Sequence, residues 1–220
     1  MNDSSMKIFV VGDSISIQYG PCLREYLRGF MDYARKQGEA DALLNLDNPS
    51  GANGGDSSLV LAYLAAVKKA GGIDADYLLL NCGLHDIKIN PATGEKQVSP
   101  AQYGRNLRAI VETVSGMKPA LIWIRTTPCD EKVHNQPDKT FHRFAADGDA
   151  YNRIADRAMA EAGVPIVDLY TFTVNLGGDL YCDHVHFHRH IREKQAAFIA
   201  GWLTGHVSGQ VRSRHQERLS

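Results

Sequence analysis

The sequence predicts an α/β fold, a three-layer α/β/α domain built on a five-stranded parallel sheet. Two observations carry this. Five short apolar runs, at residues 8–11, 43–46, 77–80, 121–124 and 164–169, alternate with five helical patterns along the chain. None of these runs is polar on alternate residues, as a strand with one wet face would be, so each is expected to be covered by helices on both sides. In open sheets of this kind ligands bind beyond the carboxyl ends of the strands. Residues that directly follow a run are therefore the candidates for function.

The helices are justified in turn. Pro21 announces the first, which carries Leu23, Tyr26, Leu27, Phe30, Met31 and Ala34 at the spacing of a core-facing stripe and stops at Gly38. The second covers residues 57–70 and ends at Gly71-Gly72. The third opens with Ser99 as cap, Pro100 next and Gln102 three residues on, a capping-box pattern, and continues through Tyr103, Leu107, Ile110, Val111 and Val114. A fourth is expected over residues 147–162 and a fifth over 191–204. With no repeat, low-complexity tract or break in composition, residues 1–208 read as one domain. Residues 209–220 are polar and Arg-bearing without periodicity, and read as a flexible C-terminal tail.

Composition excludes several classes. The 220 residues carry 24 Lys+Arg against 25 Asp+Glu, a formal charge of −1, whereas nucleic-acid and anionic-membrane partners call for a basic excess. No apolar run approaches the roughly 20 residues needed to cross a bilayer. The polar start at residues 2–5 lacks the apolar stretch of a signal peptide, so a cytoplasmic protein is expected. Four cysteines, Cys22, Cys82, Cys129 and Cys182, contain no CxxC pair. They read as buried or lining free thiols at the end of the sheet where the site lies, with no metal or redox framework. Histidine is over-represented, with nine residues, of which His184, His186, His188 and His190 lie close together.

Directly after the first run comes Gly12-Asp13-Ser14, which puts a hydroxyl where the chain turns into a helix. There the Ser14 N–H and the helix dipole would stabilise negative charge, although a plain turn with a helix cap has the same appearance. A serine hydroxyl is a weak nucleophile without a base, and the base needs an orienting partner. Asp183-His184-Val185-His186 offers both, because residues three apart on a loop or first helical turn can face one another. Asp183 can then accept from the His186 imidazole while the other ring nitrogen faces Ser14, and His184 points elsewhere.

Four blocks in order, Gly12-Asp13-Ser14, Asn53-Gly54-Gly55-Asp56-Ser57, Gly83-Leu84-His85-Asp86 and Asp183-x-x-His186, span nearly the whole chain. In them the sequence resembles the SGNH, or GDSL-type, serine hydrolase superfamily of esterases and lipases. The resemblance implies a flavodoxin-like fold and cleavage of esters or thioesters through an acyl-enzyme without metal or other cofactor. It makes Ser14 the nucleophile, His186 the base and Asp183 its partner. The oxyanion hole would combine the backbone N–H groups of Ser14 and Gly55 with a side chain of the third block. Glycine at 55 would let a carbonyl oxygen approach the backbone. The family has Asn where this chain has His85, so the expectation is a neutral His85 donating one N–H, its tautomer fixed by a neighbour. Asp13, Asp56 and Asp86 are expected to cap helices and brace loops.

Residues 126–146 form a long connection, expected to be a lid or specificity loop beside the site. Its environs supply the candidate substrate-binding residues Arg125, His134, His142 and Arg143, which equally suit pairing with Asp130, Glu131, Asp138 and Asp147. A second loop, 88–98, is expected on the opposite rim. Neither offers an extended apolar stretch, so the expected partner is a small-molecule ester, with a short acyl group such as acetyl on a polar or carbohydrate alcohol. Thioesterase or lysophospholipase activity at the same site is the alternative. From different classes, a metal-binding protein using the His184–His190 alternation and a non-catalytic ligand-binding protein on the same scaffold stay open.

Overall fold

The computed structural model describes the backbone of residues 5–217 and the side chains of residues 5–209. Five strands, β1 (Met6–Val11), β2 (Met31–Arg35), β3 (Tyr77–Leu80), β4 (Ala120–Ile124) and β5 (Ile166–Val167), pair in parallel in the order β2-β1-β3-β4-β5. The helices among the described residues are α1 (Ser14–Tyr26), α2 (Glu39–Leu44), α3 (Ser57–Lys69), α4 (Pro100–Ser115), α5 (Glu131–His134), α6 (Ala145–Glu161), α7 (Leu169–Leu176) and α8 (Arg189–Glu217). On one face α8 packs against α1 and α7, and on the other α4 packs against α3 and α6. The connections out of β1 and β3 run to opposite sides, which opens the crevice between their carboxyl ends. Val11 is level with Leu80 in the register, so residues 12–14 and 81–85 leave the sheet side by side.

The central strands are as the apolar runs predict. Leu78, Leu79 and Leu80 of β3 are completely buried, as are Ile122 and Trp123 of β4. Truncating one such leucine to alanine costs ~2–5 kcal/mol. The Ser99 hydroxyl accepts from the Gln102 N–H, which caps α4 as expected. The reciprocal half of the capping box is missing, because the Gln102 side chain bonds Asn106 and Arg105 instead.

The second strand departs from the sequence reading. Residues 43–46 are not a strand: Leu43 and Leu44 lie on α2, exposed by 60% and 86%. The strand is instead Met31–Arg35, which the stripe had placed in the first helix. Helix α1 starts earlier, at Ser14, with Pro21 in its interior, and it gives way to a turn in which Gly29 takes φ +80°. Beyond that turn Met31 and Arg35 are buried while Asp32 and Ala34 are exposed, the alternation of a strand at a sheet edge. Met31 and Ala34, three apart, share a face only in a helix; in the strand they lie on opposite faces and Arg35 takes the buried position, with one glycine as the punctuation between the two elements.

Smaller differences follow the same logic. Strand β5 is two residues long, because the Asp168 carboxylate accepts from Thr171 N–H and starts α7 at Leu169. Helix α8 continues through residues 209–217, which the sequence reading assigned to a tail. Cys22 falls well along α1, away from the site end of the sheet, and Cys182 is exposed, while Cys82 and Cys129 are buried near the site as expected. No helix of the described residues is long and apolar enough to cross a membrane.

Candidate active site

The first block is shaped by close backbone packing. Gly12 bridges to Asn53 in a parallel β-bridge, and Gly54 N–H donates to the Gly12 carbonyl at 2.9 Å. A Cβ on Gly12 would come within 2.9 Å of the Ser16 side chain, so only glycine fits. The Asp13 carboxylate accepts from Ile15 N–H at 3.0 Å and caps α1. Ser14, 5% exposed, is the first residue of that helix, at its positive end.

Between α7 and α8 the chain folds back on itself. Tyr181 bridges Phe187, and Cys182 N–H donates to the His186 carbonyl at 2.8 Å. Inside this turn Asp183 Oδ1 accepts from the backbone N–H groups of Val185 (2.9 Å) and His186 (2.7 Å). Asp183 Oδ2 lies 2.8 Å from His186 Nδ1, and His186 Nε2 lies 2.8 Å from Ser14 Oγ. A carboxylate only accepts, so Nδ1 carries the proton. In the neutral ring Nε2 is then the acceptor, facing the serine hydroxyl. Burial acts to raise the Asp183 pKa, but these hydrogen bonds outweigh it and hold the carboxyl well below the usual range.

The oxyanion side differs from expectation in detail. Among the described residues the Ser14 N–H makes no hydrogen bond. Gly55 N–H, by contrast, donates to Asn53 Oδ1 at 3.0 Å, closing a turn within its own block. Glycine is required at 55 because φ is +70° and a Cβ would meet Pro49 and Leu59 at 2.6 and 2.7 Å. His85 is 4% exposed. Burial, then the charges of Lys88 and Arg143, push its pKa far down, which favours the neutral ring. No neighbour fixes its tautomer, however: neither ring nitrogen bonds another described residue.

Asp56 caps α3 by accepting from Ser58 and Leu59 N–H. Asp86 reaches across from the third block and accepts from Ser57 N–H at 2.9 Å and from the Ser57 hydroxyl. Thus all three aspartates brace the site.

The four candidate substrate residues do not gather at the serine. Arg125 forms ion pairs with Asp156 and Asp168, both at 2.9 Å, just beyond the carboxyl ends of β4 and β5, where its backbone N–H donates to the Val167 carbonyl. His134 is fully buried; its Nε2 accepts from Arg143 Nη1 at 2.7 Å and its Nδ1 donates to Asn135 Oδ1 at 3.0 Å. Arg143, 2% exposed, gives its Nε–H to the Leu84 carbonyl at 2.6 Å. His142 exchanges backbone hydrogen bonds with Ile89 at 2.8 and 2.9 Å. Ile89 in turn bridges Lys96, so loops 88–98 and 126–146 are zipped into one rim and do not face each other across the site. Carbonyl and amide groups of both loops satisfy one another there, a pairing that leaves no trace in hydrophobic periodicity.

Sequence reasoning missed two participants, Asp47 and Lys88. His184 Nε2 lies 3.0 Å from Asp47 Oδ2, and Lys88 Nζ donates to the Asp47 carbonyl at 3.0 Å. Lys88 Nζ and the Arg143 guanidinium both lie against the Phe141 ring, 4.2 and 4.9 Å from its centroid. The histidine alternation does not form a single cluster. His188 and His190 stack on each other, and His188 pairs with Asp179. Asp183, His184 and His186 do offer ligand atoms within 4.8 Å of one another. Asp183 Oδ2 and His186 Nδ1 are already bonded to each other, and His184 Nε2 to Asp47.

The GDSL-like lipase/acylhydrolase family model matches residues 10–190, from the end of β1 to the start of α8. The chain belongs to this family. It is therefore a hydrolase of ester bonds, on the flavodoxin-like α/β scaffold described above. Solved structures of similar fold include a lipase/acylhydrolase from Enterococcus faecalis, with TM-score 0.68, 17% identity and 91% of this chain matched to 96% of that one. A GDSL-like lipase from Bacteroides thetaiotaomicron matches with TM-score 0.64 and 14% identity, over 90% of this chain and 88% of that one. A carbohydrate acetylesterase from Sinorhizobium meliloti matches with TM-score 0.57 and 14% identity, over 91% and 99%. No protein of curated function matches the sequence.

Proposed function

We propose that this GDSL-family hydrolase cleaves carboxylic esters through an acyl-enzyme on Ser14, with His186 as base and Asp183 as its orienting partner. The observation that carries the reading is the unbroken relay from Asp183 Oδ2 through His186 to Ser14 Oγ, 2.8 Å at each step. His186 Nε2 takes the Ser14 proton as Oγ attacks the ester carbonyl, and the imidazolium that forms is stabilised by Asp183. The oxyanion rests on the free Ser14 N–H at the start of α1 and on neutral His85. Gly55 N–H contributes as a donor shared with Asn53 Oδ1. His186 then protonates the departing alcohol, and water repeats the sequence on the acyl-enzyme.

The proposed substrates are short acyl esters, such as acetyl esters, of a polar or carbohydrate alcohol. Lys88, Asn90, Gln97 and Thr140 line a polar cleft of about 460 Å³ on the zipped rim, suited to hydroxyl groups. The fold relative from Sinorhizobium meliloti is a carbohydrate acetylesterase. A panel of esters varied in acyl length and alcohol, assayed beside Ser14→Ala, tests this reading. Acetyl esters of sugars should give the highest kcat/KM, and a preference for octanoyl or longer chains would overturn the substrate assignment.

A further inference from the structure

We propose that Arg143 is a positioning residue for the oxyanion hole, anchoring the Gly83–Leu84–His85 turn from the 126–146 loop so that His85 stays aimed at the reacting carbonyl. The proposal rests on the oxyanion role given to His85 above and assigns the long loop a part in catalysis.

Three contacts hold the guanidinium. Nε–H is bonded to the carbonyl of Leu84, the residue immediately before His85, at 2.6 Å. Nη1 is bonded to His134 Nε2 at 2.7 Å. His134 Nδ1 closes the ring on Asn135 Oδ1, which also accepts the Arg143 backbone N–H at 2.9 Å. This circuit fixes the His134 tautomer, because Nε2 must accept and Nδ1 must donate. Burial, then Arg143 and His184, lower the His134 pKa to about 3, so the acceptor persists at ordinary pH. The far face of the ring system is closed by Phe141, against which the guanidinium lies.

The cost of this arrangement argues that it serves more than the fold. Arg143 is 2% exposed, and among the described residues no carboxylate lies within ion-pairing distance of it. Lys88, of like charge, shares the same aromatic ring. A buried cation without a direct counter-ion is expensive, and an apolar side chain would fill the space more cheaply. What the guanidinium supplies is a rigid, planar strut to the His85 turn. Its charge, with that of Lys88, also opposes protonation of His85. The His85 ring has no hydrogen bond to any described residue, so its aim depends on the backbone of its turn, which the Leu84 carbonyl ties to Arg143 and which Ile87 N–H to the Gly83 carbonyl and Lys88 N–H to the His85 carbonyl close locally.

The test is a double-mutant cycle with p-nitrophenyl acetate. His85→Ala should lower kcat by on the order of 100- to 1,000-fold. Arg143→Met should lower kcat by about 10- to 100-fold, with KM changed less than threefold. In the His85→Ala background, Arg143→Met should cost less than threefold more, because the residue it positions is gone. Asn135→Ala loosens the same circuit without removing a buried charge, and it provides the cycle if Arg143→Met does not fold. It should show a smaller loss that also vanishes beside His85→Ala. Losses that multiply across the cycle would overturn the positioning role while leaving the His85 reading intact. Turnover of His85→Ala within threefold of wild type would overturn both.

Discussion

Asp47 and His184 meet across the mouth of the site, with 3.0 Å between Oδ2 and Nε2, forming a second Asp–His pair beside Asp183 and His186. The two imidazoles stand edge to face, 5.8 Å between centroids. Only the inner pair contacts Ser14. The outer pair ties the loop after α2 to the loop that carries the base, and Lys88 adds the third-block loop through the Asp47 carbonyl.

That tie has a pH signature. Burial alone would raise the Asp47 pKa, but the His184 hydrogen bond and charge outweigh it and bring it down to about 2. A carboxyl depressed in the folded state stabilises it above its unfolded pKa of about 4, and that contribution is lost as pH falls toward 2. Asp47→Asn should therefore be less stable than wild type at pH 6 by at most about 2 kcal/mol. In urea unfolding the gap should narrow steadily between pH 4.5 and pH 2.5. A gap independent of pH would show that the ionised Asp47 carboxylate contributes nothing.

Asp86 should behave in the opposite sense. Burial pushes its pKa up to about 7, against the hydrogen bonds from Ser57. Between about pH 4 and pH 7 the unfolded chain is ionised at this position and the folded chain is not, so stability falls as pH rises through that window. Measured as the difference in Tm, Asp86→Asn should gain on wild type from pH 5 to pH 8. A constant difference would mean that the carboxyl is ionised throughout.

Arg125 should prove structural. Its two ion pairs to Asp156 and Asp168, half-exposed on the acid side, hold α6 and the start of α7 to the end of β4. Solvent screening limits their worth to about 1 kcal/mol. Arg125→Met should lower Tm by a few degrees and leave kcat/KM for every ester in the panel within twofold. A selective loss for one alcohol would return Arg125 to the substrate site.

How much of this was legible depends on how local each signal is. Strands β1, β3 and β4 are buried on both faces, so a continuous apolar run marks each of them. Strand β2 lies at the edge, its alternation merges with the stripe of α1, and only Gly29 separates them. Asp183 and His186 are three residues apart, and Ser14 follows its strand directly; short-range rules reach all three. The pairs Asp47–His184 and Arg143–Leu84 join loops far apart in sequence, and no spacing encodes them. The occupied Gly55 N–H escaped for a different reason. An Asn two residues ahead can close a turn onto it, but a family pattern shows only the glycine.

The central claim is that Ser14 is the nucleophile, and the most direct measurement is labelling by a fluorophosphonate followed by intact-mass and peptide analysis, run beside p-nitrophenyl acetate turnover. Wild type should gain one phosphonyl group, on the peptide containing Ser14, and lose its activity in step. Ser14→Ala should take up no label and turn over about 10⁴-fold more slowly or worse. A Ser14→Ala protein that hydrolyses the ester at the wild-type rate would contradict the account.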